Sequence, residues 1–138
     1  MEAKTLGSPV GTTILAALQE ARFYTPQTAR CYESLARRGI QVVLFAHGWS
    51  GITESAPGLR LIGLSQDDSV RDEWDVLVCS PSARFGFASL DRHADVAKDG
   101  DRTFSWLTSR DDEAIGSAAH CLLSRAIDID VQIPAVTR

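Results

Sequence analysis

The chain has 138 residues, of which 44% are hydrophobic and 23% charged, and its formal net charge is −4. This length is typical of a single domain. Such a domain can bury roughly two thirds of its unfolded surface, so its core needs no metal or disulfide. The ordinary composition argues against global disorder, and the acidic balance without a sustained Lys and Arg patch argues against direct nucleic-acid binding.

The chain is predicted to open with a loose lead-in over residues 1–10 and a short helix. Thr12 or Thr13 could cap this helix, whose sequence ILAALQEARF places apolar residues at helical spacing. We expect the helix to pack on whatever layer lies beneath it.

The best-defined element is a capped helix that leads through one glycine into an apolar strand. Thr25 is a good N-cap with Pro26 at the first helical position, and Gly39 ends the helix. The strand over residues 40–46 (IQVVLFA) is almost continuously apolar, which is typical of a central strand covered on both faces. A helix followed by such a strand is half of a β-α-β unit and predicts an α/β fold.

A long loop, two strands and a helix are predicted next. Residues 47–58 (HGWSGITESAPG) contain three glycines and one proline, and a loop of about a dozen residues in a compact domain often binds a ligand. Residues 59–64 (LRLIGL) read as a weaker, more peripheral strand, and residues 74–79 (WDVLVC) as a second buried one. Residues 82–92 (SARFGFASLDR) are predicted as a helix.

The last third of the chain predicts a polar turn over residues 93–101 and a half-exposed strand over residues 102–109 (RTFSWLTS). Asp111 caps the clearest helix. Its predicted buried stripe consists of Ile115, Ala118 or Ala119, Leu122 and Ala126. Residues 127–133 (IDIDVQI) alternate strictly, which predicts a C-terminal strand that pairs with a sheet edge of its own chain or of a second copy in a homodimer. The elements together predict one three-layer α/β domain, with a mostly parallel or mixed sheet of about four or five strands flanked by helices.

Cysteine usage and the absence of apolar segments indicate a cellular compartment. Cys31, Cys79 and Cys121 are odd in number and far apart, so we expect reduced, mostly buried thiols rather than disulfides or a zinc site. The N-terminus lacks the features of a signal peptide, and no apolar run reaches the roughly 18 residues of a membrane span. We therefore expect a cytoplasmic protein without a membrane partner.

Three stretches carry a family likeness when they are taken in order: ARCYESLARRGIQVVLFA, PGLRLIGLSQDDSVRDEWDVLVCSP, and RTFSWLTSRDDE with the closing helix through SRAI. This ensemble resembles the DICT domain, a bacterial sensory module named for its occurrence in diguanylate cyclases and two-component systems, and the likeness covers about Thr25 to Ala126. It implies one DICT-like domain over residues 1–138. It also implies a small-molecule signal and coupling to an output protein or domain, such as a helix-turn-helix transcription regulator or a cyclase. The family supplies no ligand residues to transfer.

Candidate ligand-binding residues follow from strand geometry, because ligands of open α/β sheets bind at the carboxyl ends of strands. The three predicted strand ends contribute Phe45, His47 and Trp49, then Cys79, Ser80 and Ser82, and finally Trp106 and Arg110. His47 and Trp49 could clamp a flat ligand, and free N–H groups over residues 80–83 could hold an anion. We expect these groups to meet in one crevice.

Two other kinds of site have weaker support in the sequence. Cys79 and His47 could form a thiol nucleophile and its base, but no third orienting residue is evident. Acidic residues between the second and third strands could hold a hard cation, although a solvated acidic loop also explains them. They are Asp67, Asp68, Asp72, Glu73 and Asp75. The sequence assigns no catalytic residue and no metal site, and it identifies no cofactor.

We therefore predict a non-enzymatic bacterial sensory module that binds a small ligand or a partner and relays the signal to an output domain. Two alternatives stay open. One is a ligand-free protein-interaction or dimerisation module, and the other is a small enzyme that uses Cys79.

Overall fold

The computed structural model describes residues 11–91, 104–126 and 129–137. The predicted lead-in, the predicted polar turn over residues 93–101, and residues 127 and 128 of the terminal segment lie outside this part of the chain. The described strands are β1 (Thr13–Glu20), β2 (Gln41–His47), β3 (Ile52–Ala56), β4 (Leu59–Leu64), β5 (Glu73–Cys79), β6 (Arg84–Asp91) and β7 (Phe104–Ser109). The α-helices are α1 (Pro26–Arg37) and α2 (Asp112–Leu123), and short 3-10 helices span Ala21–Phe23 and Ser69–Asp72.

These strands form one mixed sheet in the order β3-β4-β2-β1-β5-β6-β7. β1 and β4 both run parallel to β2, whereas β5 runs antiparallel to β1 and is followed by an antiparallel β6 and β7. Between β1 and β5 the sheet therefore changes from a parallel half, which consists of β4, β2 and β1 with an antiparallel β3 at its edge, to an antiparallel half. The predicted α/β class is confirmed, but the described part of the chain forms a sheet of seven strands instead of about four or five.

The segment predicted as the first helix is instead β1, the central strand. Leu15 and Ala17 pack into the core on one face, and Ile14, Ala16 and Leu18 pack into the core on the other. A run that is buried on both sides has no alternation to distinguish it from a buried helix, and this is why the helical spacing was misleading.

Helix α1 and strand β2 form as predicted. The Oγ1 atom of Thr25 accepts a hydrogen bond of 3.2 Å from the N–H of Thr28, and Pro26 occupies the first turn. Gly39 ends the helix with φ of +94°. Since β1 and β2 are parallel and α1 connects them, the three elements complete the β-α-β unit of which the sequence indicated half.

Two segments predicted as a loop and a helix are strands. Residues 47–58 contain β3, which forms a hairpin with β4, so the expectation of a long unstructured loop is wrong. The predicted helix over residues 82–92 is β6, which pairs with β5 along its whole length. Phe87 and Leu90 fit a helical spacing, but cross-strand pairing outweighs such a local pattern.

Helix α2 covers the second face of the sheet. The side chain of Asp111 accepts a hydrogen bond of 3.1 Å from the N–H of Glu113, which confirms the predicted cap. The predicted stripe is also confirmed, with Ile115, Ala119, Leu122 and Ala126 in the core. With α1 on the other face, the domain has the three predicted layers.

The C-terminal segment is extended but forms no strand over residues 129–137. Ile129, Val131 and Ile133 pack against the core under α2, so the predicted buried face is correct. The predicted pairing with a sheet edge is wrong for this part of the chain. The segment lies across the face of the sheet, where the Oγ1 atom of Thr13 donates to the carbonyl of Gln132 at 2.8 Å.

The three cysteines are free thiols, as expected, but only Cys79 is buried. Cys31 and Cys121 lie on exposed helix positions, so the expectation of mostly buried thiols is wrong. None of the helices in the described ranges is long and apolar enough to cross a membrane.

Candidate functional site

The predicted site residues lie at opposite ends of the sheet. Along β1, Thr13 pairs with Cys79 and Glu20 pairs with His47. A rise of about 3.3 Å per residue separates these two positions by roughly 20 Å. Because β5 runs against β2, their carboxyl ends cannot meet in one crevice. Cys79 and His47, which the sequence offers only as a possible thiol and base, are therefore not brought together.

The end that carries Cys79 is a closed hairpin turn. The Oγ atom of Ser80 accepts hydrogen bonds from the N–H groups of Ser82 at 3.3 Å and Ala83 at 3.1 Å. These N–H groups are therefore not available for an anion, contrary to the prediction. Cys79 is fully buried, and burial raises the pKa of its thiol, an effect that the charge of Arg84 only partly opposes.

The same end of the sheet is held together by arginine. Arg84 donates to the carbonyl oxygen of Asp112 at 2.7 Å and to that of Pro134 at 3.0 Å, which ties β6 to the start of α2 and to the C-terminal segment. The Arg110 guanidinium lies 5.1 Å from the ring centroid of Phe85. Trp106 is in register with Ser89 of β6, and its side chain lies outside the described part of the chain.

The opposite end gathers the carboxyl ends of β1, β2 and β4. After β2, the turn over residues 47–51 folds back onto β4, where the N–H of Gly63 donates to the carbonyl of Gly51 at 2.8 Å. A Cβ atom at Gly63 would collide with the carbonyl oxygen of Trp49, so this close approach requires glycine. The turn places His47 and Trp49 in half-buried positions. Phe45 is fully buried in the core on the α2 face, whereas Trp49 packs against the core on the α1 face.

Two aromatic pairs lie at this end, and we call their four residues the aromatic cluster (Phe23, Tyr24, Trp49 and Trp74). Tyr24 and Trp49 contact edge to face at 5.4 Å, and Phe23 and Trp74 contact at 5.8 Å. Phe23 and Tyr24 come from the connection between β1 and α1. The sequence does not predict this pair of site residues, because the segment before them has helical spacing although it forms a strand.

Two features of this end are unusual for a surface connection. The hydroxyl of Tyr24 is buried without a hydrogen-bond partner among the described residues, and burial followed by the charge of Glu33 raises its pKa. β1 bulges at Gln19, whose φ is +65°, and the buried side chain of Gln19 donates to the carbonyl of Asp72 at 3.1 Å. A non-glycine residue in this conformation costs of order 1–3 kcal/mol and is often found at ligand sites.

The acidic residues lie at the same end but on the other face of the sheet. Asp68 caps the second 3-10 helix and forms an ion pair with Arg125, with oxygen to nitrogen distances of 2.6 and 2.8 Å. Asp75 is buried in β5. These two positions contradict the explanation of the group as one solvated loop. No group of three ligands suited to a metal ion occurs within the described ranges.

Comparison with known families agrees with this architecture. The family model described as "Sensory domain in DIguanylate Cyclases and Two-component system" (DICT) matches residues 6–90, which is more than half of the chain. The chain belongs to the DICT family. No curated protein and no solved structure matches it.

The match begins before β1 and ends within β6, so it contains the parallel half of the sheet, the aromatic cluster and the acidic residues after β4. This DICT domain is thus a sensory domain whose matched region includes the whole carboxyl end of the parallel strands. Helix α2 and Arg125 lie beyond the match.

Proposed function

We propose that this DICT domain binds a small planar molecule at the carboxyl end of its parallel strands, against the aromatic cluster, and relays binding to an output domain or protein. One observation carries the proposal. The sheet switches from parallel to antiparallel between β1 and β5, and the aromatic cluster lies where β1, β2 and β4 end. In open α/β sheets, ligands bind outside the carboxyl ends of the strands.

The chemistry of the cluster favours a flat ligand that also accepts a hydrogen bond. Trp49 and Trp74 are partly exposed, and their ring faces can stack on a planar molecule. The unpartnered hydroxyl of Tyr24 supplies a donor. The strained bulge at Gln19 is at the same strand end, where a ligand could use it.

The relay follows from chain connectivity. Tyr24 directly precedes Thr25, the cap of α1, so a ligand that moves Tyr24 changes the start of that helix. α1 packs over β2 and β4 through Tyr32, Leu35 and Ala36. An output partner that contacts α1 would therefore sense whether the aromatic cluster is occupied.

A thermal-shift panel of nucleotides and planar metabolites tests ligand binding, because only a ligand of the folded state raises Tm with concentration. We expect a hit to lose its shift in Trp49→Ala and to keep it in Arg110→Ala, which alters the opposite end of the sheet. Each variant is compared with its own ligand-free Tm, since Trp49 also packs on the core.

The alternative outcomes separate the other candidate functions. A silent panel combined with saturable binding of an output protein would make the domain an interaction module without a ligand. Equal losses of the ligand-induced Tm shift in Trp49→Ala and Arg110→Ala would place the ligand at another site. Turnover that disappears in Cys79→Ser without a change in Tm would support the enzyme hypothesis.

A further inference from the structure

A buried carboxyl group lies in the first half of β5 and has no ion-pair partner among the residues that the structure describes. Asp75 is 6% exposed, and its Oδ1 atom has no hydrogen-bond partner among the described residues. In the sheet it pairs with Ala17 of β1 on one side and with Ala88 of β6 on the other. Neither neighbour can titrate or donate from its side chain. A carboxylate in this position would lack the compensation that buried charges need.

Within the described ranges, a second carboxyl group acts on Asp75. Glu73 lies two residues earlier on the same strand, so it is on the same face of the sheet, and it is partly exposed. We call these two residues the carboxyl pair (Glu73 and Asp75). Two carboxylates have no proton to share, so a hydrogen bond between them requires that one is protonated.

Two arginines of the described chain at this end of the sheet already bind other groups. Arg125, just after α2, donates to both oxygens of Asp68 and to the carbonyl of Cys121 at 2.7 Å. Arg71, in the second 3-10 helix, donates to the carbonyl of Gln66 at 2.6 Å. Asp72, in the same 3-10 helix, adds a further negative group. The environment therefore favours a proton on the carboxyl pair.

We propose that the carboxyl pair is a proton-binding site, and that release of its proton is a signal to which this domain responds. The site is on the face of the sheet opposite the aromatic cluster and does not depend on the proposed ligand. When the proton leaves, a second negative charge competes with Asp68 for Arg125. Because Asp68 caps the second 3-10 helix and Arg125 ends the α2 region, the change loosens the junction between them.

The direction of the response follows from the pKa of Asp75. Burial, followed by the hydrogen bond and charge of Glu73, raises this pKa from 3.8 to about 8, while Arg125 lowers it by a smaller amount. Between these two values the folded state binds a proton that the unfolded state has lost. Stability therefore falls as pH rises from about 4 to about 8 and levels off above that range.

Carbon-13 NMR of the side-chain carboxyl groups tests the site directly in the intact chain. We expect the Asp75 carboxyl signal to titrate near pH 8. The Arg125 Nε signal, observed by nitrogen-15 NMR, should move with the same midpoint. An Asp75 midpoint near pH 4 would overturn the proposal. An Arg125 signal that does not follow Asp75 would overturn the coupling to the α2 junction.

Two variants separate the carboxyl pair from its surroundings. Asp75→Asn mimics the protonated form, so its urea midpoint should vary less between pH 5 and 8 than that of the unaltered protein. Asp67→Asn removes an equal charge from an exposed position nearby and should keep the original profile. Identical profiles for all three proteins would contradict the proposal.

Glu73→Gln keeps Asp75 in place and remains informative if Asp75→Asn does not fold. It should lower the Asp75 midpoint, because the neighbouring charge is removed, and an unchanged midpoint would show that the two groups do not act as a pair. Trp49→Ala should leave the titration unchanged. This result would show that the proton site is independent of the ligand site. Failure of the ligand proposal would appear only in the thermal-shift panel.

Discussion

At the scale of single residues, the contacts that decide the site join positions far apart in the sequence. Asp68 and Arg125 are separated by 57 residues, yet their side chains are only 13% and 20% exposed and form a two-point ion pair. The sequence placed Asp68 in an acidic loop but could not identify its partner, because nothing local to either residue marks the contact. For the same reason it could not tell that Asp75 is buried while Asp67 is exposed.

The ion pair gives the first prediction. Asp68→Ala removes the cap of the second 3-10 helix and leaves Arg125 partly buried without its carboxylate, so we expect a loss of about 2–4 kcal/mol in the free energy of unfolding. The matched change Asp67→Ala alters an exposed carboxylate and should cost less than about 0.5 kcal/mol. Urea unfolding at pH 7 measures both. Equal effects would show that the ion pair contributes nothing beyond the loss of one charge.

Acid unfolding gives a second prediction with the opposite sign to that of Asp75. The hydrogen bond from Arg125 holds the pKa of Asp68 below 3.8. The stability from this group is therefore complete above pH 4 and is lost as pH falls through its lowered pKa. The unaltered protein should lose stability on acidification below pH 4, and Asp68→Asn should lose less. Tm measured from pH 2 to pH 5 makes the comparison, and parallel curves would contradict it.

At the scale of elements, the sequence predicts the helices and strands whose ends are marked by capping or turn residues. α1 and α2 have capping residues, and β2 and β5 are apolar runs between turn residues, so their sequences suffice. β1, β3 and β6 were missed because pairing with neighbours makes them strands. The direction of β5, which separates Cys79 from His47, is likewise a property of the sheet and is not written in any short segment.

The turn after β2 gives a third prediction. Gly63→Ala would force the carbonyl of Trp49 off β4, and this is backbone that cannot turn aside as a side chain can. We expect a loss of about 2–3 kcal/mol and a displaced Trp49. Gly51→Ala in the same turn has φ of +63° but open space, so its cost should be about 1 kcal/mol. Chemical denaturation followed by tryptophan fluorescence measures both. A larger effect for Gly51→Ala would refute the assigned role of Gly63.

At the scale of the whole molecule, the domain is closed differently on its two faces. α1 covers one face of the parallel half, whereas α2 and the C-terminal segment together cover the other face. Hydrogen bonds within its own chain hold that segment, among them Thr13 with Gln132, Arg84 with Pro134, and the N–H of Thr137 with the carbonyl of Pro81 at 2.7 Å. The strict alternation of the sequence reported the buried face correctly, but it could not reveal that this face lies on the sheet instead of beside it.

The last prediction concerns removal of this segment. Truncation after Ala126 uncovers core surface that Ile129, Val131 and Ile133 shield, and each partly buried side chain contributes about 1–2 kcal/mol. Ordering the segment costs part of that gain, so we expect a net loss of about 2–4 kcal/mol. Ile133→Ala should reproduce a share of it, and Gln132→Ala, which keeps the carbonyl that Thr13 contacts, should not. Because the contacts are made within one chain, the mass from light scattering should be the same before and after truncation. A mass that halves on truncation would instead show that the segment joins two copies.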